Sequence, residues 1–286
     1  AGVTSSDMIT TVSPTYAHEI QTAEGGFGMD GLLRARTDVV KGILNGADLR
    51  QWNPEIDKKI PETYSARSMA GKAKCKEELQ KKMGLEVNPD IPVIGIVTRL
   101  VDQKGIAEIF APTYGSIYQI CTDMKVQFAI LGSGESWCEN EICALQSKLP
   151  NLRAYIGYDD ALSHLIEAGS DFFLMPSKYE PCGLNQNYSM LYGTLPIVRK
   201  TGGLADTVDN YNQQTGEGTG FVFEQLTPRA IYDTVGWAVW AYYNKKDHIK
   251  KMQQAGTKKT FGWDEAAEKY VQVYKEALER GCGIRK

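Results

Sequence analysis

The sequence predicts an α/β fold in which a parallel sheet is covered by helices on both faces. Three observations carry this. Short β-rich runs recur from about residue 90 onward, and helix-like stretches separate most of them. The runs are also apolar at nearly every position instead of every second one, as in strands buried on both sides.

The runs are PVIGIV (92–97), VQFAIL (126–131), LRAYI (152–156), DFFLM (171–175), LPIV (195–198) and GFVF (220–223). Helices are predicted between them over 104–121, 135–148, 159–168 and 184–192. This alternation requires right-handed crossovers and describes a doubly wound, Rossmann-like domain. Ligands of such sheets sit at the carboxyl ends of the strands, near the switch in strand order.

Downstream, Thr227-Pro228 reads as an N-cap followed by proline at the first helical position. Ile231, Val235, Ala238 and Tyr242 then recur at helical spacing. A last helix starts near Asp264, with Ala267, Tyr270, Tyr274 and Leu278 along one side. The segment NYNQQTGEGT (210–219) has loop composition and is expected to be mobile. Upstream, MITTV (8–12) and VVKGIL (39–44) read as strands with a helix from Pro14 between them. Residues 53–61 read as loop, and 65–83 as a Lys/Glu-rich helix. Residues 1–48 are therefore expected to be the tail of a preceding domain plus a hinge, and 49–286 the compact unit. The chain has no initiator Met and opens in mid-pattern, as a piece cut from a longer one would.

Bulk properties narrow the class. The chain has 286 residues, is 42% hydrophobic and 23% charged, and carries a net charge of −3. That balance argues against a non-specific nucleic-acid binder, which needs a basic surface. No apolar run approaches the roughly 20 residues that span a bilayer, and the N-terminus lacks the pattern of a secretory signal. Cys75, Cys121, Cys138, Cys143, Cys182 and Cys282 include no CxxC pair, and His18, His164 and His248 lie far apart. No zinc-ligand spacing results, and the cysteines read as reduced thiols.

Polar chemistry gathers in the loops after the strands. TRLVDQKG (98–105) brings Arg99 close to Lys104, a fork of donors beside a point charge, which suits a diphosphate but also occurs as surface decoration. LGSGES (131–136) reads as a loop whose Gly132 and Gly134 allow either a tight turn or close approach to a ligand. In GYDD (157–160), Tyr158 either stacks on a nucleobase or packs over the sheet edge. MPSKYEPCGLNQ (175–186) ends a strand at a proline and opens a helix. Gly183 and Leu184 fall at the helix start, where free N–H groups face outward, with Glu180 nearby as an acceptor. VRKTGGLADTV (198–208) places Thr201, Gly202 and Gly203 in another close-approach loop.

Taken together, TRLVDQKG, GYDDALSHLIEAGSD, MPSKYEPCGLNQNYSMLYGTLPIVRKTGGLADTV and GTGFVF resemble the carboxyl-terminal half of bacterial glycogen synthases and plant starch synthases. TVSPTYAHEI and GILNGADLRQWNP resemble the same family's approach to the interdomain hinge, so the likeness covers essentially the whole chain. It implies the GT-B arrangement, two Rossmann-like domains across a cleft. The implied activity is retaining transfer of glucose from ADP-glucose (UDP-glucose in some members) to the non-reducing 4-hydroxyl of an α-1,4-glucan, with no metal or other cofactor. It further implies that Arg99 and Lys104 clamp the diphosphate and Tyr158 stacks on the base. Cys182, Gly183 and Leu184 would offer main-chain groups to the sugar and distal phosphate, Glu180 would bind the sugar hydroxyls, and Thr201 and Gly202 would line the same pocket. Related retaining transferases have a second glutamate eight positions after the first. Here that position is Tyr188, as in the synthase branch. The family's amino-terminal domain, with its Lys-x-Gly-Gly-Leu loop, is missing, so the isolated chain is expected to show little or no activity. Competing readings are another GT-B transferase, making sucrose or a trehalose precursor, and a non-catalytic module holding nucleotide or glucan. The Gly157-Tyr158 context points to bacterial cytoplasm over plastid.

Overall fold

The structure is a computed structural model and describes residues 2–281; Cys282 lies outside them. Eight strands occur among these residues: β1 (Ile9–Thr11), β2 (Val40–Gly42), β3 (Val93–Leu100), β4 (Gln127–Gly134), β5 (Leu152–Ile156), β6 (Phe172–Met175), β7 (Leu195–Arg199) and β8 (Phe221–Phe223). β1 and β2 form a small parallel pair, and the other six make one parallel sheet in the order β5-β4-β3-β6-β7-β8. From β3 the chain first winds outward through β4 and β5, then returns to the other side of β3 at β6. The switch in strand order therefore lies between β3 and β6.

Alternation within each strand feeds two core layers. Ile94, Ile96, Phe128, Ile130, Phe172 and Leu174 face one way, against helices that include Pro228–Asn244. Val93, Ala129, Leu131 and Phe173 face the other way, with Leu79 and Ile166 from the helices Ala70–Met83 and Asp160–Gly169. Both faces being covered is why these strands read as continuous apolar runs.

Two expectations are corrected around this sheet. The predicted helix 104–121 is a 3₁₀ turn (Asp102–Lys104) followed by two helices, Ile106–Phe110 and Ser116–Asp123. Pro112 has no N–H to continue the ladder, and Gly115 caps the second piece. Gly132 and Gly134 belong to β4 and not to a loop. A Cβ at Gly132 would lie 2.2 Å from the Thr98 oxygen, so glycine here serves the pairing with β3. Residues 210–219 form a loop as expected, with a bridge between Asn210 and Gly220 and the ring of Tyr211 buried.

Thr227 caps its helix as predicted, accepting from the Ala230 amide. The last helix, Trp263–Gly281, packs back on the amino-terminal segment, but not by the expected side: Ala266 and Val273 lie against Ile43 with Tyr270 beside them, whereas Ala267, Tyr274 and Leu278 are exposed. No helix among the described residues is long and apolar enough to cross a membrane.

Candidate functional site

Two loops build the site at the switch point. β3 ends with exposed Arg99, and the 3₁₀ turn that follows places Lys104 beside the loop leaving β6. The loops are stitched together: the Lys178 amide donates to the Gln103 oxygen (2.8 Å), and Gln103 Nε2 to the Tyr179 oxygen (3.2 Å). Lys178 Nζ pairs with Asp102 Oδ1 at 2.5 Å. Between them lies a cavity of about 200 Å³ walled by Arg99, Lys104, Ser177, Glu180, Gly183, Leu184 and Asn185, among others.

Glu180 is only 6% exposed, and its two oxygens differ. Oε2 accepts from Lys104 Nζ at 2.5 Å and from the buried Ser177 hydroxyl at 3.0 Å. Oε1 has no partner among the described residues. A carboxylate held this way keeps its charge paired and its orientation set, with one acceptor left for a ligand. The amides of Gly183 and Leu184 also have no partner among the described residues. Gly183 sits at φ +67°, and the helix that follows runs from Asn185 to Leu191. Among the described residues Arg99 is tethered only by a 3.4 Å contact from Nη2 to Gln103 Oε1, so its guanidinium is available. The cavity thus gathers two cations, two unengaged amide donors and one oriented acceptor.

A third loop backs this wall. The Gly203 amide donates to the Glu180 oxygen (3.0 Å), and the Cβ that alanine would add at Gly202 lies 2.0 Å from that same oxygen. Thr201 and Gly202 do not line the cavity. The Thr201 hydroxyl and Gly202 amide both donate to Glu19 Oε1, at 2.9 and 3.0 Å, from the helix Pro14–Glu19. That helix is tied a second time where Thr15 donates to Asp206 through its amide (2.9 Å) and its hydroxyl (2.6 Å).

A family model for glycosyl transferases group 1 matches residues 77–258, a span that takes in β3 to β8 and every loop described above. The chain belongs to the glycosyl transferases group 1. Residues 1–35 match a model described as the starch synthase catalytic domain. Glycogen synthase of Treponema denticola is 62% identical over 284 residues, covering 99% of this chain and 58% of that protein. Glycogen synthase 1 of Geobacter metallireducens is 46% identical, covering 99% and 55%. The catalytic domain of starch synthase IV from Arabidopsis thaliana, solved with ADP and acarbose, superposes with a TM-score of 0.89 at 34% identity over 97% of this chain and 57% of that one. The chain therefore spans little more than half the length of the relatives it matches.

In this group 1 transferase chain, the structure brings together Arg99, Lys104, Glu180, Gly183 and Leu184 around one cavity. Cys182, expected among them, does not line it and is buried; burial pushes its thiol up, partly opposed by a hydrogen bond from the Asn45 backbone. Tyr158 is outside the cavity wall and 84% exposed, so it does not pack over the sheet edge. Tyr188 stacks on Trp52 at 4.0 Å, and His164 covers the other face of that indole at 3.8 Å. Burial raises the Tyr188 phenol to about 12, which makes it a neutral packing residue. Sequence reasoning missed Ser177, Asn185 and Glu19. Ser177 stood within the quoted motif three residues before Glu180, whereas Glu19 acts across 182 residues with no local signal.

Proposed function

We propose that the chain is the donor-binding half of a glucan synthase. The reaction is retaining transfer of glucose from ADP-glucose to the non-reducing 4-hydroxyl of an α-1,4-glucan, in the bacterial cytoplasm. Residues 1–48 are read as the end of a preceding domain with its hinge. The observation that carries the proposal is the split environment of Glu180: Oε2 saturated by Lys104 and Ser177, Oε1 open beside Arg99 and the Gly183 amide.

Cleaving a sugar–phosphate bond builds positive charge at the anomeric carbon and negative charge on the departing diphosphate. Fixed cations and unengaged amides stabilise the latter without reorganising. Arg99, the free N–H donors of Lys104, and the Gly183 and Leu184 amides form that set. Glu180 Oε1 accepts from a sugar hydroxyl and keeps a negative charge near the cationic ring. Adenine is favoured by the ADP in the Arabidopsis relative, and the exposed ring of Tyr158 offers it a stacking face. Glucose leaves this half only when the acceptor is placed against it, so turnover needs the facing wall of the cleft.

Calorimetric titration with ADP, UDP and their glucose conjugates tests the assignment. ADP is expected to bind with Kd in roughly the micromolar range. Arg99→Ala should weaken it about ten-fold or more, from charge-assisted contacts worth ~1.5–3 kcal/mol. Equal binding by both proteins would remove Arg99 from the site.

A further inference from the structure

A second cavity, of about 350 Å³, lies where the hinge, the short helix Asn185–Leu191 and the start of the last helix meet. Its size falls in the ~300–1,000 Å³ range of small-molecule sites. The donor site does not use it: Asn185 lines the first cavity, and Asn187, two residues on, lines this one. Asn187 is 1% exposed, and its Oδ1 is buried without a hydrogen-bond partner among the described residues. Buried acceptors are seldom left so.

The chemistry of the wall selects the ligand. An orphaned amide oxygen calls for a donor, which a fully ionised phosphate lacks. Lys258 and Lys269, both exposed and without an ion pair among the described residues, call for an acceptor. Lys259 is already committed, its Nζ donating to the Thr207 oxygen and pairing with Asp209, both at 2.7 Å. Glu265 accepts from the Thr260 hydroxyl through Oε1, and its Oε2 has no partner among the described residues. A hydroxyl is the group that answers both demands, because it donates and accepts at once. Leu44 and Phe261 supply apolar surface for the C–H face of a ring.

We propose that this cavity binds a hexose ring, presented as a free sugar or as the end of an α-1,4-glucan. The first source stands independently of the donor-site reading; the second rests on the acceptor proposed above.

The test is an NMR titration of the labelled chain that follows the side-chain amide of Asn187, with glucose, maltohexaose and inorganic phosphate as separate probes. Glucose is expected to shift that signal at concentrations on the order of millimolar, the range of a weak single-ring site. If chain ends are the source, maltohexaose acts at about ten-fold lower concentration; if free sugar is, glucose is the stronger probe. Asn187→Ala should lose about ten-fold or more in sugar affinity by calorimetry, while its ADP titration stays that of the wild type. That ADP arm separates failure here from failure of the donor site. Three results overturn the proposal: no shift with either sugar, which leaves only a bound water; a response to phosphate alone; or undiminished sugar binding by the variant. The wild-type titration decides the matter even if the variant does not fold.

Discussion

Glu180 shows how much one side chain depends on partners that a sequence does not display. Its position after β6 was legible because a strand ending at a proline beside a glycine-bearing helix start marks a carboxyl-edge loop. Its orientation was not, since Lys104 is 76 positions away in sequence and Ser177 carries no distinguishing mark. The geometry makes a discriminating prediction. Glu180→Gln preserves shape but removes the charge that Lys104 neutralises, freeing that lysine for a diphosphate. ADP binding should then be unchanged or tighter. ADP-glucose should lose about ten-fold relative to ADP, the ~1.5–3 kcal/mol of a hydrogen bond to a charged acceptor. Ser177→Ala should move the same ratio by a smaller amount. Parallel losses for both ligands in calorimetry would mean that Glu180 does not touch the sugar.

Elements were more readable than their interruptions and neighbours. All six strands of the main sheet lie where apolar runs stood, because burial on two faces leaves an unbroken signal. The same property hides strand order, as a strand apolar all round does not say what lies beside it. The 104–121 pattern kept helical spacing across Pro112, and that periodicity masked the break. The helix Gly202–Thr207 shows a tighter dependence. Gly202 has φ +42°, and an added Cβ would meet backbone, not a yielding side chain. Gly202→Ala should therefore displace the Glu180 loop, at a cost of ~1–3 kcal/mol for the strained backbone. Each kcal/mol lowers Tm by roughly 2–4 °C in a protein near this size. Gly84→Ala is the control: φ is +71°, but the nearest atom is 4.0 Å away. Both variants should melt earlier, and Gly202→Ala alone should lose ADP-glucose discrimination. Equal discrimination in the two would disconnect this helix from the site.

At the scale of the whole molecule, the last helix was misread: the apolar side drawn through Ala267, Tyr274 and Leu278 faces outward, and the helix instead buries Ala266 and Val273 against Ile43, a small patch far away in sequence. Sequence position likewise concealed a buried charge cluster behind the sheet. Lys72 Nζ donates to the Ala168 oxygen (2.9 Å) and the Thr194 hydroxyl (2.7 Å), while the Ser189 hydroxyl donates to Glu167 Oε2 (2.6 Å). Burial lowers Lys72 from 10.5 to about 8, opposed first by the Asp171 charge, and raises Glu167 from 4.5 to about 8, opposed first by the Ser189 hydrogen bond; the attraction between the two is a smaller offset on each. The signs oppose. Between pH 4.5 and about 8 the folded state holds a proton on Glu167 that the unfolded state releases, so stability falls as pH rises. Between about 8 and 10.5 the unfolded state holds a proton on Lys72 that the folded state has released, so stability rises with pH. The pair therefore contributes a trough near pH 8. Glu167→Gln keeps the Ser189 hydrogen bond and removes the titration, and should flatten the acid-side fall in Tm; Lys72→Met should flatten the alkaline rise. Thermal unfolding of the three proteins across this range checks both arms separately. A Glu167→Gln profile parallel to the wild type on the acid side would show that Glu167 is already ionised there, with its charge held by Lys72.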